Sequence, residues 1–154
     1  KGHTRDVITD LQTLKNHYKV EVLVSLVENH ELVEMNMKNF FDEVKKLFVS
    51  HHFPIKDKWL PDREGICKCI TFILDILKKG KNVVIHCNAG KGRSGTVLCT
   101  LLIVIGHDPS KAIEIVRDLR KGTLTNQDQQ MYIKNFLSIW KEYISKLNGN
   151  QIII

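Results

Sequence analysis

Residues 82–96 read NVVIHCNAGKGRSGT, and this stretch passes from β-branched residues through a glycine-rich turn into an apolar segment. Asn82–His86 predicts a short central strand of the sheet, because valine and isoleucine are enriched in strands that are covered on both faces. Ser94–Ile105 is too long for a typical strand and too apolar for a surface helix, so it predicts a buried helix. A strand that leads through a turn into a helix is the repeating unit of an α/β fold.

The apolar pattern on either side alternates in the same way. Val20–Val27 and Phe48–Ile55 are rich in residues that favour strands. The alternation predicts one α/β domain over residues 1–154, in which helices flank both faces of a central, mostly parallel sheet and residues 148–154 form a loose tail. Helical periodicity recurs at Leu11 and Leu14, at Phe41, Val44 and Leu47, at Ile66, Ile70, Ile73, Leu74 and Leu77, at Ile113, Val116 and Leu119, and at Tyr132, Phe136, Trp140 and Ile144.

The turn after His86 has the composition of an anion-binding loop. Gly90 and Gly92 allow the backbone to curl so that successive amide groups point inward, and such a nest at a helix N-terminus binds a phosphate dianion. Cys87 lies at the base of the predicted nest, where the amides and the helix dipole favour a thiolate over a thiol. A thiolate is the nucleophile that attack on phosphorus requires.

Arg93 comes six residues after Cys87, at the start of the predicted helix. Its planar fork can hold two phosphate oxygens together, which a lysine cannot do. The hydroxyl of Ser94 can hydrogen-bond the sulfur, and His86 is assigned to ordering the loop. Each of these residues alone is commonly structural, but their combination between a strand and a helix favours phosphoryl transfer. The predicted substrate-binding residues of the loop are Asn88, Ala89, Gly90, Lys91, Gly92 and Arg93.

Hydrolysis of a phosphate ester also needs a proton donor for the leaving oxygen. Asp57 and Asp62 are the candidates, in the loop IKDKWLPD at residues 55–62. Asp62 has a structural role as the predicted cap of the next helix, which makes Asp57 the better candidate for the acid. The alternative is that residues 59–62, WLPD, form the acid loop and that Asp62 is the donor.

The segment from His86 to Gly95 resembles the signature loop of the protein tyrosine phosphatase superfamily. The resemblance extends to the dual-specificity branch and in particular to the cyclin-dependent kinase-associated phosphatases. Residues 51–57, HHFPIKD, resemble their His-His-x-Pro-Ile-x-Asp stretch, and residues 110–120, SKAIEIVRDLR, resemble their Ala-Ile-x-x-x-Arg-x-Leu-Arg helix. The resemblance implies that Asp57 is the general acid and that Gln129 positions the hydrolytic water. Lys91 gives the loop a likeness to phosphoinositide phosphatases.

Composition bears on the compartment and the partners. A net charge of +6 indicates a lysine-coated surface or an attraction for anions. The spacing Cys67-x-Cys69 suits neither a disulfide nor a zinc pair, and Cys67, Cys69 and Cys99 are interpreted as reduced packing residues. An intracellular, cytoplasmic protein is therefore expected, with the nucleus as the alternative. No transmembrane segment is predicted, because the apolar run Val97–Ile105 is too short. The seven histidines show no zinc-ligand spacing, and neither a metal nor a cofactor is predicted.

These observations favour a protein phosphatase that acts on phosphotyrosine, and also on phosphoserine or phosphothreonine, through a phosphocysteine intermediate. Its predicted partner is a phosphorylated protein or peptide, such as a kinase. A phosphoinositide phosphatase and an RNA 5′-triphosphatase remain alternatives with the same chemistry, although nucleic acid is not favoured as a partner. A phosphopeptide-binding module with weak catalysis is the alternative from another functional class.

Overall fold

The computed structural model describes residues 11–34, 37, 39–56, 60–87 and 92–148. Contacts divide the chain into two compact units. The first unit comprises Lys1–Lys56 and Thr71–Ala89, and the second comprises Asp57–Ile70 and Gly90–Ile154. The single domain over residues 1–154 stays a prediction, and most of the predicted loose tail, residues 149–154, lies outside the described residues.

The first unit is built on a parallel sheet. Among the described residues its strands are β1 (Val20–Ser25), β2 (Val49–His52) and β3 (Asn82–His86), in the order β2-β1-β3, and both neighbouring pairs are parallel. Every residue of β1 except Glu21 is buried, as expected for a strand that is covered on both faces. The predicted α/β class with a parallel sheet is therefore confirmed. Among the described strands, however, β1 is the central one and β3 lies at the end of the order, with Asn82 exposed and its other residues half-buried.

Three short helical segments accompany this sheet. Helix α1 covers residues 11–16, α2 is Asn29–Glu34 and α3 is Phe40–Leu47. They share one apolar cluster with β1, and burial of such side chains is the main favourable term in holding the unit together. The buried members of this cluster are Leu11, Val20, Leu23, Val27, Leu32, Phe40, Val44 and Phe48.

The second unit is helical. It contains α5 (Arg93–Val104), which packs against α6 (Pro109–Leu119) and α7 (Gln127–Asn148). Eight of the 12 residues of α5 are buried, which confirms the predicted buried helix. Helix α4 (Arg63–Lys78) contributes residues 63–70 to this unit and residues 71–78 to the first. Among the described residues, no helix is both long and apolar enough to cross a membrane.

Two predicted strands are shorter than the sequence pattern suggested. The strand predicted over Val20–Val27 ends at Ser25, and that predicted over Phe48–Ile55 is confined to Val49–His52. Pro54 accounts for the second difference, because proline has no N–H to donate to the ladder. The chain after β2 therefore leaves regular pairing while still lying along β1.

Two leucines predicted to face inward are exposed. Leu77 is 44% exposed because Ile76 takes the buried position in the last turn of α4. Leu119 is 72% exposed and is the last residue of α6, after which Arg120 has an extended backbone. The buried face of α6 is carried by Ala112, Ile113 and Val116 instead.

Candidate active site

Strand register aligns three polar residues at the carboxyl end of the sheet. Ser25 of β1 pairs with His52 of β2 on one side and with His86 of β3 on the other. The ring Nε2 of His52 donates to the carbonyl oxygen of Val27 at 2.6 Å, which fixes the end of β2 to the chain beyond β1. In parallel sheets ligands bind at this carboxyl end of the strands.

Cys87 is the residue that follows β3 at the carboxyl end of the sheet. The amide of Leu26 donates to the carbonyl oxygen of His86 at 2.9 Å, so the backbone is held directly before the cysteine. The ring of His86 also packs against that of Phe40, with 5.2 Å between their centroids. These contacts agree with a role for His86 in ordering the start of the loop.

Cys87 differs from the other three cysteines in exposure. It is half-buried, whereas Cys67, Cys69 and Cys99 are buried, and all four are free thiols. Burial raises the pKa of Cys69 and of Cys99 to about 12. Burial, with a smaller contribution from the Asp62 carboxylate, raises the pKa of Cys67 to about 11. These three thiols stay protonated at neutral pH and are therefore unreactive.

The segment that leads towards Asp57 is bonded to the end of β1. The amide of Phe53 donates to the carbonyl oxygen of Ser25 at 2.8 Å, and the amide of Ile55 donates to that of Leu26 at 2.9 Å. Ile55 is buried, which anchors the chain two residues before Asp57. The loop predicted to carry the acid therefore starts at the same carboxyl end of the sheet as Cys87.

Asp62 caps α4, as the sequence predicted. Its Oδ2 accepts a hydrogen bond from the amide of Gly65 at 2.8 Å, the usual geometry of a capping carboxylate in the first turn. The backbone carbonyl oxygen of Asp62 also accepts from the amide of Ile66 at 2.9 Å, which closes the first helical turn. The side chain of Asp62 thus has a defined structural role.

The first turn of α5 holds Arg93 and Ser94. The carbonyl oxygen of Gly92 accepts from both the amide and the hydroxyl of Thr96, at 2.9 and 2.8 Å, so the turn is closed twice. Arg93 is only 1% exposed and Ser94 is half-buried. A guanidinium removed from water interacts with an anion far more strongly than one on the surface, because solvent screens it less.

Gln129 of α7 lies directly against Gly92. It is 3% exposed, and a Cβ atom on Gly92 would stand 3.0 Å from its Nε2 and 3.3 Å from its Oε1. A glycine at position 92 therefore permits the close approach of this amide. Asn126 caps α7, since its Oδ1 accepts from the amide of Gln129 at 3.1 Å. The cap fixes the backbone of Gln129 next to the end of the predicted phosphate loop.

A family comparison decides what kind of protein carries these features. Residues 1–107 match the family model described as "Polymorphic toxin system, DSP-PTPase phosphatase". The chain belongs to this family of phosphatases. The resemblance to dual-specificity protein tyrosine phosphatases that the sequence motifs indicated is thereby confirmed, and the cysteine-dependent chemistry of a tyrosine or dual-specificity phosphatase goes with it.

Individual relatives agree with the family. Human "Cyclin-dependent kinase inhibitor 3" is 30% identical over 140 residues, which cover 88% of this chain and 66% of the human protein. The chain thus spans about two thirds of that relative. The crystal structure of kinase associated phosphatase with its catalytic-site cysteine replaced by serine has a TM-score of 0.82 at 27% identity, covering 87% of this chain and 77% of that one. Tk-PTP in its active form has a TM-score of 0.70 at 28% identity, with coverages of 93% and 86%.

The phosphatase site predicted from sequence is described in part. The structure places Cys87 and His86 at the end of the sheet and brings Gln129 against Gly92. Asp57 lies outside the described residues. So do four of the predicted substrate-binding residues, namely Asn88, Ala89, Gly90 and Lys91.

The turn between α6 and α7 was not singled out from the sequence. Thr123 and Leu124 pack against α5, since a Cβ atom on Gly95 would lie 3.0 Å from Oγ1 of Thr123 and 3.3 Å from Cδ2 of Leu124. The spacing of Asn126 three residues before Gln129 is a capping signal that could have marked this turn. No comparable local signal marks the contact with Gly95.

Glu28, His30 and Glu31 are grouped near the start of α2, and each offers one ligand atom within 4.8 Å of the others. Local bonds account for this group. The carboxylate of Glu31 accepts from the amide of Glu28 at 2.8 Å, and hydrogen bonds to Glu34 and Glu28 raise the pKa of His30. That the reaction uses no metal stays a prediction from the sequence.

Proposed function

We propose that this chain hydrolyses phosphotyrosine in phosphoproteins, and phosphoserine or phosphothreonine as well, through a phosphocysteine intermediate on Cys87. The observation that carries the proposal is the position of Cys87. It is the half-buried cysteine that follows β3 at the carboxyl end of the sheet, in a member of a phosphatase family. The other three thiols are buried and have raised pKa values, which leaves Cys87 as the nucleophile.

In the first step the sulfur of Cys87 attacks phosphorus, so that a P–S bond forms while the P–O bond to the substrate breaks. Arg93 and the amides of residues 88–92 bind the phosphoryl oxygens. The leaving oxygen takes a proton from Asp57. We assign this proton to Asp57 because the carboxylate of Asp62 is engaged as the cap of α4.

In the second step a water molecule attacks the phosphorus of phosphocysteine. A P–O bond forms, the P–S bond breaks with its electron pair returning to sulfur, and the Asp57 carboxylate accepts a proton from the water. Ser94 stabilises the departing thiolate through its hydroxyl. Gln129 orients the water, and its burial against Gly92 supports this role.

A phosphorylated protein, such as a kinase, is the proposed partner, in keeping with the name of the human relative. The cytoplasm is the proposed compartment, with the nucleus as the alternative, because free cysteines persist in a reducing environment. Phosphoinositides are less favoured substrates, since residues 88–92 carry a single lysine, Lys91. RNA ends are the other alternative and are not favoured.

Turnover of a simple aryl phosphate tests the proposed function. We expect the chain to release phosphate from p-nitrophenyl phosphate and from a phosphotyrosine peptide, because the proposed nucleophile and phosphate-binding groups all come from the protein. Excess EDTA should leave the rate unchanged, and vanadate should inhibit by occupying the phosphate site. Activity that is lost with EDTA and restored by a divalent ion would contradict this mechanism.

Lys91→Ala separates phosphoprotein from phosphoinositide substrates. For a protein phosphatase we expect kcat/KM on p-nitrophenyl phosphate and on a phosphotyrosine peptide to fall together by about 2- to 5-fold, as for a solvated ion contact of about 0.5–1 kcal/mol. Phosphatidylinositol phosphates in vesicles should be poor substrates for both proteins. Efficient lipid hydrolysis that is lost selectively in Lys91→Ala would reverse this ranking.

A further inference from the structure

The turn between α6 and α7 is held by side chains from both helices. The Nη2 of Arg117 donates to the carbonyl oxygen of Leu124 at 2.8 Å, and its Nε donates to that of Thr123 at 3.4 Å. From α7, the Nε2 of Gln130 donates to the same carbonyl oxygen of Leu124 at 2.8 Å. Arg117 therefore binds the turn from α6 while Gln130 binds it from α7.

Leu124 needs such bonds because its backbone is in a disfavoured conformation. Its φ is +58°, in the left-handed region that a leucine seldom adopts, and its side chain is 1% exposed. A conformation of this kind persists only where its surroundings enforce it. Here the side chain packs against Gly95 and the carbonyl oxygen is fixed by two donors.

The turn leads within two residues to the cap of α7. Asn126 bonds the amide of Gln129, and the side chain of Gln129 lies against Gly92. Any change in the backbone at Leu124 therefore moves the start of α7 and, with it, the amide of Gln129. Arg117 is thus connected to Gln129 through this turn, and its described hydrogen bonds include none to the predicted phosphate loop.

We propose that Arg117 is a positioning residue for the second chemical step. By holding the carbonyl oxygens of Thr123 and Leu124, it keeps the Gln129 amide where it orients the water that attacks phosphocysteine. The inference rests on the proposed function, because it assigns Arg117 to one step of that reaction. Formation of phosphocysteine does not use this water and should be insensitive to Arg117.

Arg117→Ala should slow the breakdown of phosphocysteine selectively. With p-nitrophenyl phosphate we expect kcat to fall about 10-fold, within the roughly 100-fold that a misplacement of about 1 Å can cost. The kcat/KM, which reports formation of the intermediate, should change by less than about 2-fold. Rapid mixing should then reveal a burst of p-nitrophenolate approaching one equivalent per active site.

Added glycerol gives a readout that does not depend on the folded fraction. Its hydroxyl oxygen can attack phosphocysteine in place of water, forming a P–O bond and breaking the P–S bond while its proton goes to Asp57. Once water is poorly oriented, the ratio of glycerol phosphate to inorganic phosphate should rise in Arg117→Ala. Gln129→Ala should show the same rise, and the double variant should show little more than Gln129→Ala alone.

Matched variants decide the outcome. Lys111→Ala removes another cation from α6. Lys111 pairs only with exposed Glu114 among the described residues, so the kcat and product ratio of this variant should match those of the wild type. Arg117→Lys keeps the charge but lacks the planar fork that donates to both carbonyl oxygens. Its kcat and its product ratio should therefore lie between those of the wild type and of Arg117→Ala. Equal losses in kcat and kcat/KM, with no burst and an unchanged product ratio, would overturn the proposal. A wild-type chain without turnover would instead refute the proposed function itself.

Discussion

Cys87→Ser is expected to abolish turnover of every phosphate ester. A serine hydroxyl stays protonated near neutral pH and is a far weaker nucleophile than a cysteine sulfur, so no competent nucleophile remains. We expect kcat on p-nitrophenyl phosphate to fall by roughly 10⁶-fold, the scale on which loss of a covalent nucleophile is felt. Affinity for a phosphotyrosine peptide, measured by calorimetry, should be retained, because Arg93 and the loop amides are unchanged.

Cys99→Ser is the matched control for this loss. Cys99 is fully buried in α5, so a hydroxyl there is expected to lower the stability of the protein without changing the rate of the chemical steps. Activity per folded molecule should stay near that of the wild type. Loss of chemistry in Cys99→Ser, with turnover surviving in Cys87→Ser, would show that the nucleophile has been misassigned.

Alkylation gives an independent measure of the same assignment. The pKa values of Cys67, Cys69 and Cys99 are raised to about 11, 12 and 12, so these thiols remain protonated until strongly alkaline pH. Iodoacetate reacts with the thiolate form. Brief treatment near neutral pH should therefore modify Cys87 alone, as peptide mass spectrometry would reveal, and inactivate the enzyme in proportion.

Local sequence signals were sufficient to predict the elements that precede and follow the predicted phosphate loop in the chain. The β-branched run Asn82–His86 and the apolar segment after Ser94 appear as β3 and α5, because β-branched residues favour strands and a long apolar run favours a buried helix. Asp62 was recognisable as a cap from its place before an amphipathic helix, and its bond to Gly65 bears that out. Such features depend on neighbours in the chain and can be read without the tertiary structure.

Features that depend on tertiary contacts were not predictable. The left-handed backbone of Leu124 has no signal in its sequence, since glycine or asparagine is the residue that usually marks this conformation. In the sequence Arg117 looks like any other cation on a helix. Its contact with the turn between α6 and α7 is visible only from its hydrogen bonds to Thr123 and Leu124. The exposure of Leu77 and Leu119 likewise depends on what packs, or fails to pack, over a last helical turn.

Asp57→Asn is expected to separate good from poor leaving groups. A tyrosine or serine oxygen must be protonated as it departs, whereas p-nitrophenolate leaves as a stable anion. We expect kcat/KM on a phosphotyrosine peptide to fall by about 100-fold or more, the usual contribution of a general acid, and to fall far less on p-nitrophenyl phosphate. The variant should still bind phosphopeptide, because its phosphate-binding groups are intact.

Substitutions at Asp62 supply the matched comparison. Asn caps a helix about as well as Asp, so Asp62→Asn removes the acid but should keep the bond to Gly65 and with it both stability and activity. Asp62→Ala should lose about 1 kcal/mol of stability, a fall in Tm of about 2–4 °C, without any dependence of the rate on the leaving group. If Asp62→Asn instead slows the phosphopeptide selectively while Asp57→Asn does not, the proton comes from Asp62, and residues 59–62 form the acid loop.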